Sequence, residues 1–209
     1  MAKSGRIWYL ATLGAGLVLI VAIVIALGPG GGPLDLAIRA AAMLGLVGVF
    51  FAALSSVFMR DLTRFFGTPF IRLHHYVVVT SLILLTAHPL GVALRRGSLA
   101  VFVPDVRSWA GFFINGGRPA WYLLGVAALV GLAAVRRRLP KSWRTIHMLN
   151  YVAFGFGAIH AWLLGSDFQG TFGRVVLVAM AVLLGGAFIQ KRRQIARVAA
   201  QRRRRRDAS

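Results

Sequence analysis

Residues 71–89 read Ile-Arg-Leu-His-His-Tyr-Val-Val-Val-Thr-Ser-Leu-Ile-Leu-Leu-Thr-Ala-His-Pro. No charged residue falls between His75 and His88, and the apolar run to which this stretch belongs extends over 73–94. A run of that length without period-2 alternation predicts a bilayer-crossing helix rather than a strand of a barrel. Similar apolar runs lie at about 7–27, 40–59, 120–135, 146–164 and 175–190. The expected fold is an all-α integral membrane protein, a bundle of six transmembrane helices. The two shortest runs reach spanning length only by borrowing neighbours, Pro119 and Arg136 for one and Arg174 and Lys191 for the other, whose longer stems snorkel.

Composition agrees with that class. The chain has 209 residues, 58% of them hydrophobic, with a mean hydropathy of +0.72. A soluble domain of this size exposes too much surface to hide so much apolar side chain. The expected organisation is one membrane domain over residues 1–190 and a basic tail over 191–209. The tail is read as a helix fraying into disorder, with anionic lipid as its main contact. The run at 7–27 is longer than a signal-peptide core and no A-x-A-like cleavage site follows it, so it is read as a retained span. Gly28-Pro-Gly-Gly-Gly-Pro33 separates the first helix from the second.

The net charge of +20 sits between the apolar runs and in the tail. That placement reads as membrane orientation and not as nucleic-acid binding. One side receives Lys3, Arg6, Arg60, Arg64, Arg72, Arg136, Arg137, Arg138, Lys141, Arg144 and the nine basic residues of the tail. The other receives Arg39, Arg95, Arg96, Arg107, Arg118 and Arg174. Six crossings then place both termini in the cytoplasm, in what is expected to be a bacterial plasma membrane. The longest loop, 95–118, faces outward.

Cysteine is absent, which excludes disulfides, iron–sulfur clusters and thiolate metal sites. Glutamate is absent too, and the acids are Asp35, Asp61, Asp105, Asp167 and Asp207. Metal chemistry therefore falls to histidine. All five histidines lie in the third and fifth apolar runs: His74, His75 and His88, then His147 and His160. Ionisable residues inside spans are costly and usually face a functional partner in the bundle interior.

The third and fifth helices run in the same direction, so His74 and His147 share one depth. His88 and His160 lie fourteen and thirteen residues further on, about 20 Å at ~1.5 Å per residue. Each depth thus offers a bis-His axial pair for the iron of haem b, with two haems expected and a single haem the alternative. At ~100° per residue His74 turns to within about 40° of His88, whereas His75 misses by about 140°. His74 is therefore the preferred ligand and His75 the alternative. His147 and His160 also miss by about 140°, which calls for distortion near Gly155 and Gly157 or for different azimuths around the helix. Pro89 is expected to loosen the third helix. Arg72 and Arg144 lie at the depth of one haem's propionates and Arg39 at that of the other. Trp121, Trp143 and Trp162 read as packing or membrane-belt residues.

The segment from Ile71 to Tyr76 with Leu-Thr-Ala-His88 resembles the third helix of the ferric-reductase-like transmembrane domain family. The stretch from Arg138 through Trp143, His147 and Asn150-Tyr151, with His160 beyond, is similar to the MsrQ (YedZ) branch, haem-binding membrane subunits of periplasmic methionine sulfoxide reductase systems. The resemblance implies an electron-transfer subunit rather than a complete enzyme. MsrQ-type chains carry an arginine pair where this one has His74-His75. The four-histidine spacing instead resembles NADPH oxidases and ferric reductases, which continue into a cytoplasmic FAD/NADPH domain. No glycine-rich dinucleotide fingerprint occurs in this sequence. The expected donor is therefore a separate flavoprotein, a free flavin such as FMN, or a quinol, and the expected acceptor an extracytoplasmic protein. Two alternatives stand beside this reading. One is a terminal reductase of ferric iron or oxygen at the outer haem, recognisable by superoxide or ferrous product from the pre-reduced protein. The other is a non-redox structural subunit, recognisable by a colourless preparation.

Overall fold

The computed structural model describes residues 3–67 and 69–207. Among these the regular structure is helical throughout. Helix α1 covers Lys3–Leu27, α2 Pro33–Val57, α3 Met59–Phe66, α4 Phe70–Arg96, α5 Trp109–Ile114, α6 Gly117–Gly131, α7 Ala133–Arg138, α8 Trp143–His147, α9 Leu149–Leu164 and α10 Thr171–Asp207. Short 3-10 turns occupy Leu99–Phe102 and Ser166–Phe168.

Helix α2 is the centre of the molecule. It lies antiparallel along α4 and also touches α1, α9 and α10. Its interface with α4 is built on small residues. A Cβ on Gly45 would stand 2.7 Å from Leu85 Cγ, Gly48 abuts Ser81, and Gly91 of α4 receives Ile38. Without a hydrophobic gain between helices in lipid, such close backbone approach is what holds two spans together. The core continues through Val21 and Val24 of α1, Phe50 of α2, Leu124 of α6, Phe154 of α9 and Leu184 of α10. Outward, α4 shows Tyr76, Val79, Ile83, Leu90 and Leu94, and α10 shows Val175, Val178, Val182 and Ile189. These exposed stripes recur at helical spacing, as expected where lipid is the solvent.

All six apolar segments are helical, but three helices are long and apolar enough to cross a membrane by themselves: Pro33–Val57, Phe70–Arg96 and Thr171–Gln194. The apolar part of α1, Ala11–Leu27, is shorter. At ~1.5 Å per residue α6 and α9 reach only about 22–24 Å, short of a hydrocarbon core of about 30 Å.

Several boundaries differ from the sequence reading. Helix α2 starts at Pro33 and not near 40, because proline suits the first helical position and Asp35 the first turn. The fourth apolar run breaks at Leu132, whose backbone is extended (φ −63°, ψ 139°). The fifth breaks at Met148, between His147 and His160, whereas Gly155 and Gly157 lie inside the continuous α9. Helix α4 passes through Pro89 without interruption and ends at Gly97, whose left-handed backbone (φ 61°) suits glycine. Among the described residues the tail continues α10, one helix of 37 residues that reaches Asp207.

Candidate functional site

Four histidines point inward, in two pairs. His74, near the start of α4, is only 7% exposed. His147 closes α8. Both line a cavity of about 40 Å³ between α2, α4, α6 and α9, walled by Val49, Ala52, Ala53, Val78, Leu82, Leu124, Ala127 and Ala128. Asn150 adds the remaining polar group. His75, next to His74 in the chain, faces the outside of the bundle, its ring centroid 6.0 Å away.

The second pair lies toward the other end of the same helices. His88 of α4 and His160 of α9 are within electrostatic reach of each other, as are His74 and His147. Helix α4 and the α8–α9 pair therefore run in the same direction.

Three of these rings are tied in the same way. Nδ1 of His88 donates to the Ile38 carbonyl at 3.2 Å, Nδ1 of His147 to Ala127 at 2.8 Å, and Nδ1 of His160 to Ile114 at 3.1 Å. A carbonyl oxygen only accepts, so Nδ1 must carry the proton and Nε2 keeps its lone pair. Metal-binding histidines are usually arranged this way, with the non-ligating nitrogen fixed by an acceptor that orients the ring. A Cβ on Gly117 would lie 2.9 Å from His160 Cδ2 and 3.0 Å from its Nε2. Glycine there leaves the flank of that nitrogen clear. Among the described residues no three His, Asp or Glu side chains converge, so the histidines form pairs and not one metal cluster.

Residues 38–158 match a family model described as the ferric reductase like transmembrane component. The chain belongs to this family. No curated protein and no solved structure matches it. Membership of the ferric-reductase-like family makes the chain an integral membrane protein with an electron-transfer role. The matched segment contains His74, His75, His88 and His147, and His160 lies two residues past its end.

The arginines of this ferric-reductase-like chain are placed unequally. Arg39, read from sequence as a propionate contact, is engaged elsewhere. Its Nε donates to Asp167 at 2.9 and 3.1 Å, Nη2 to Asp167 and to the Ile25 carbonyl, and Nη1 to the Pro29 carbonyl. The pair is largely buried, at 13% and 7% side-chain exposure, and ties α1, α2 and the α9–α10 turn together. Sequence gave no sign of it, because the partners are 128 positions apart. Arg72 and Arg144 are exposed. Arg144 and Arg136 both lie over the Trp143 ring, at 5.4 and 5.5 Å, and Trp143 is 6.3 Å from the His147 ring. Trp121 packs on Phe102 and donates to Thr86 Oγ1 at 3.0 Å, and Arg174 lies over Trp162.

Asn150 is the cavity residue that the sequence reading passed over. Its signal was a lone amide in an apolar run, one turn after His147.

Proposed function

We propose that this chain is a b-type haem electron-transfer protein of the membrane, with His74 and His147 holding one haem and His88 and His160 the other. The observation that carries this reading is the Nδ1 hydrogen bond of His88, His147 and His160 to a backbone carbonyl of another helix. Each leaves an oriented Nε2 lone pair inside the bundle, the donor that haem iron takes from an axial histidine. Bound haem supplies reversible one-electron chemistry. The residues of this chain hold the ring planes, exclude water with the aliphatic walls of the cavity and keep the two pairs apart along α4.

The proposal extends to topology. Six crossings follow if α6 with α7 and α8 with α9 each serve as one broken span, and the clustering of Lys and Arg then puts both termini in the cytoplasm. Electrons pass from a cytoplasmic flavin, flavoprotein or quinol to an extracytoplasmic acceptor, in the manner of MsrQ-type subunits. A pyridine haemochrome assay on the purified chain tests the core of this reading. Two haems b per chain are expected, with one lost in His74→Ala and none lost in His75→Ala. A colourless chain, or a haem content unchanged in His74→Ala and His147→Ala, overturns it.

A further inference from the structure

The chain leaving α4 turns back on the helix it has just completed. Gly97 reverses its direction, and the 3-10 turn Leu99–Phe102 lies against α4. The ring of Phe102 packs on that of Trp121 with centroids 5.6 Å apart, and Trp121 Nε1 donates to Thr86 Oγ1 of α4 at 3.0 Å. Thr86 lies eight residues before Leu94, about 12 Å along the helix at ~1.5 Å per residue. Phe102 is therefore held level with the last apolar turns of α4. The segment that carries it stays at the bilayer boundary instead of rising into water.

Its polar groups are spent inside the segment or on α6. Ser98 Oγ accepts from the Ala100 amide at 3.2 Å, Asp105 Oδ1 from Arg107 at 3.2 Å and Ser108 Oγ from Gly111 at 3.0 Å. From α6, Arg118 donates to the Val103 carbonyl at 2.6 Å and the Tyr122 hydroxyl to the Phe102 carbonyl at 3.1 Å. The side chains turned outward are apolar instead: Leu99, Val103, Val106 and Trp109 are 63–81% exposed. A loop bathed in water does not group its apolar side chains outward in this way. Arg95, Arg96 and Arg107 are exposed beside them. Apolar tips, a tryptophan and flanking arginines are the combination that suits acyl chains, headgroup boundary and lipid phosphate together.

We infer that residues 99–109 form an interfacial anchor. Leu99, Val103, Val106 and Trp109 insert among the lipids beside the Gly97 end of α4, and the three arginines reach the phosphates. A protein partner could also cover apolar side chains, but the depth set by Phe102 and Trp121 and the arginine flank both match lipid. The inference rests on the membrane placement of the family and makes no use of haem.

Because the chain has no cysteine, one spin label can be placed at one chosen position. Val106→Cys and Trp109→Cys, each at an exposed side chain, are labelled with a nitroxide. The full chain is then set, one copy per nanodisc, in phosphatidylethanolamine and phosphatidylglycerol. Oxygen concentrates in lipid, whereas nickel ethylenediaminediacetate stays in water. The ratio of oxygen to nickel relaxation should be several-fold higher at both positions than for the same label free in buffer. A ratio equal to that of the free label at either position overturns the inference and leaves the patch to a protein partner. Accessibility to neither reagent overturns it too, because the side chain is then packed against protein. If one variant is not recovered folded, Val103→Cys replaces it and is held to the same two outcomes.

Discussion

Replacing Gly117 by alanine should disturb one site and spare the other. Gly117 opens α6 with an ordinary helical backbone, so alanine meets no conformational penalty and gains up to about 1 kcal/mol of helix propensity. Against this, its Cβ would stand 2.9 Å from His160 Cδ2 and 3.0 Å from Nε2. Comfortable contacts lie at about 3.5–4.0 Å, so the ring or α9 must retreat by about 0.5–1 Å. Overpacking of this kind costs about 1–3 kcal/mol, which leaves a net loss of about 0–2 kcal/mol. At about 2–4 °C per kcal/mol for a chain of this size, Tm should fall by less than about 8 °C and the protein should still fold. The ring cannot retreat without straining its 3.1 Å bond to the Ile114 carbonyl. Under the proposed function, the haem signal lost in His160→Ala should therefore change its g-values and midpoint in Gly117→Ala, with the His74 signal unmoved. Gly125→Ala, which meets nothing within 4 Å, is the control. An unaltered His160 signal in folded Gly117→Ala would refute the seating of the ring on α6.

Three further outcomes follow from the packing. Arg39→Met or Asp167→Leu alone strands a largely buried charge, costing about 3–5 kcal/mol, or about 6–20 °C in Tm by scanning fluorimetry. The double variant should recover most of it, and a double as unstable as the sum of the singles counts against the pairing. Gly45→Val drives a side chain into Leu85 and should lower the yield of folded protein in detergent, judged by size-exclusion profile, far more than Gly125→Ala does. Trp121→Phe and Thr86→Val should each cost about 0.5–1.5 kcal/mol, and their combination should cost less than the sum because they break one hydrogen bond.

The fold was legible where one signal dominates. Residues 71–89 announce a helix by length and lack of charge, and helical phase separates His74 from His75, one of which is buried and the other exposed in the structure. What escaped was of two kinds. The break at Met148 escaped because methionine sits as comfortably in a helix as beside one, so no residue marks the interruption. The Arg39–Asp167 pair and the cavity position of Asn150 escaped because they are facts of tertiary placement, and neither periodicity nor composition carries that. Proline at position 33 was a start signal in plain view, outweighed by a hydropathy run that begins later.

The three carbonyl ties share an order along the chain. Ile38 precedes His88, Ile114 precedes His160 and Ala127 precedes His147, each on a helix made earlier than the ring it receives. A chain inserted from its N-terminus therefore has every acceptor made before the corresponding imidazole arrives. Each ring can be locked in its tautomer on entry, with no need to wait for a later helix. Formation of the three bonds then marks that the segments have assembled in sequence, and a ribosome-stalled intermediate ending before α8 should hold the seats for His147 and His160 already built.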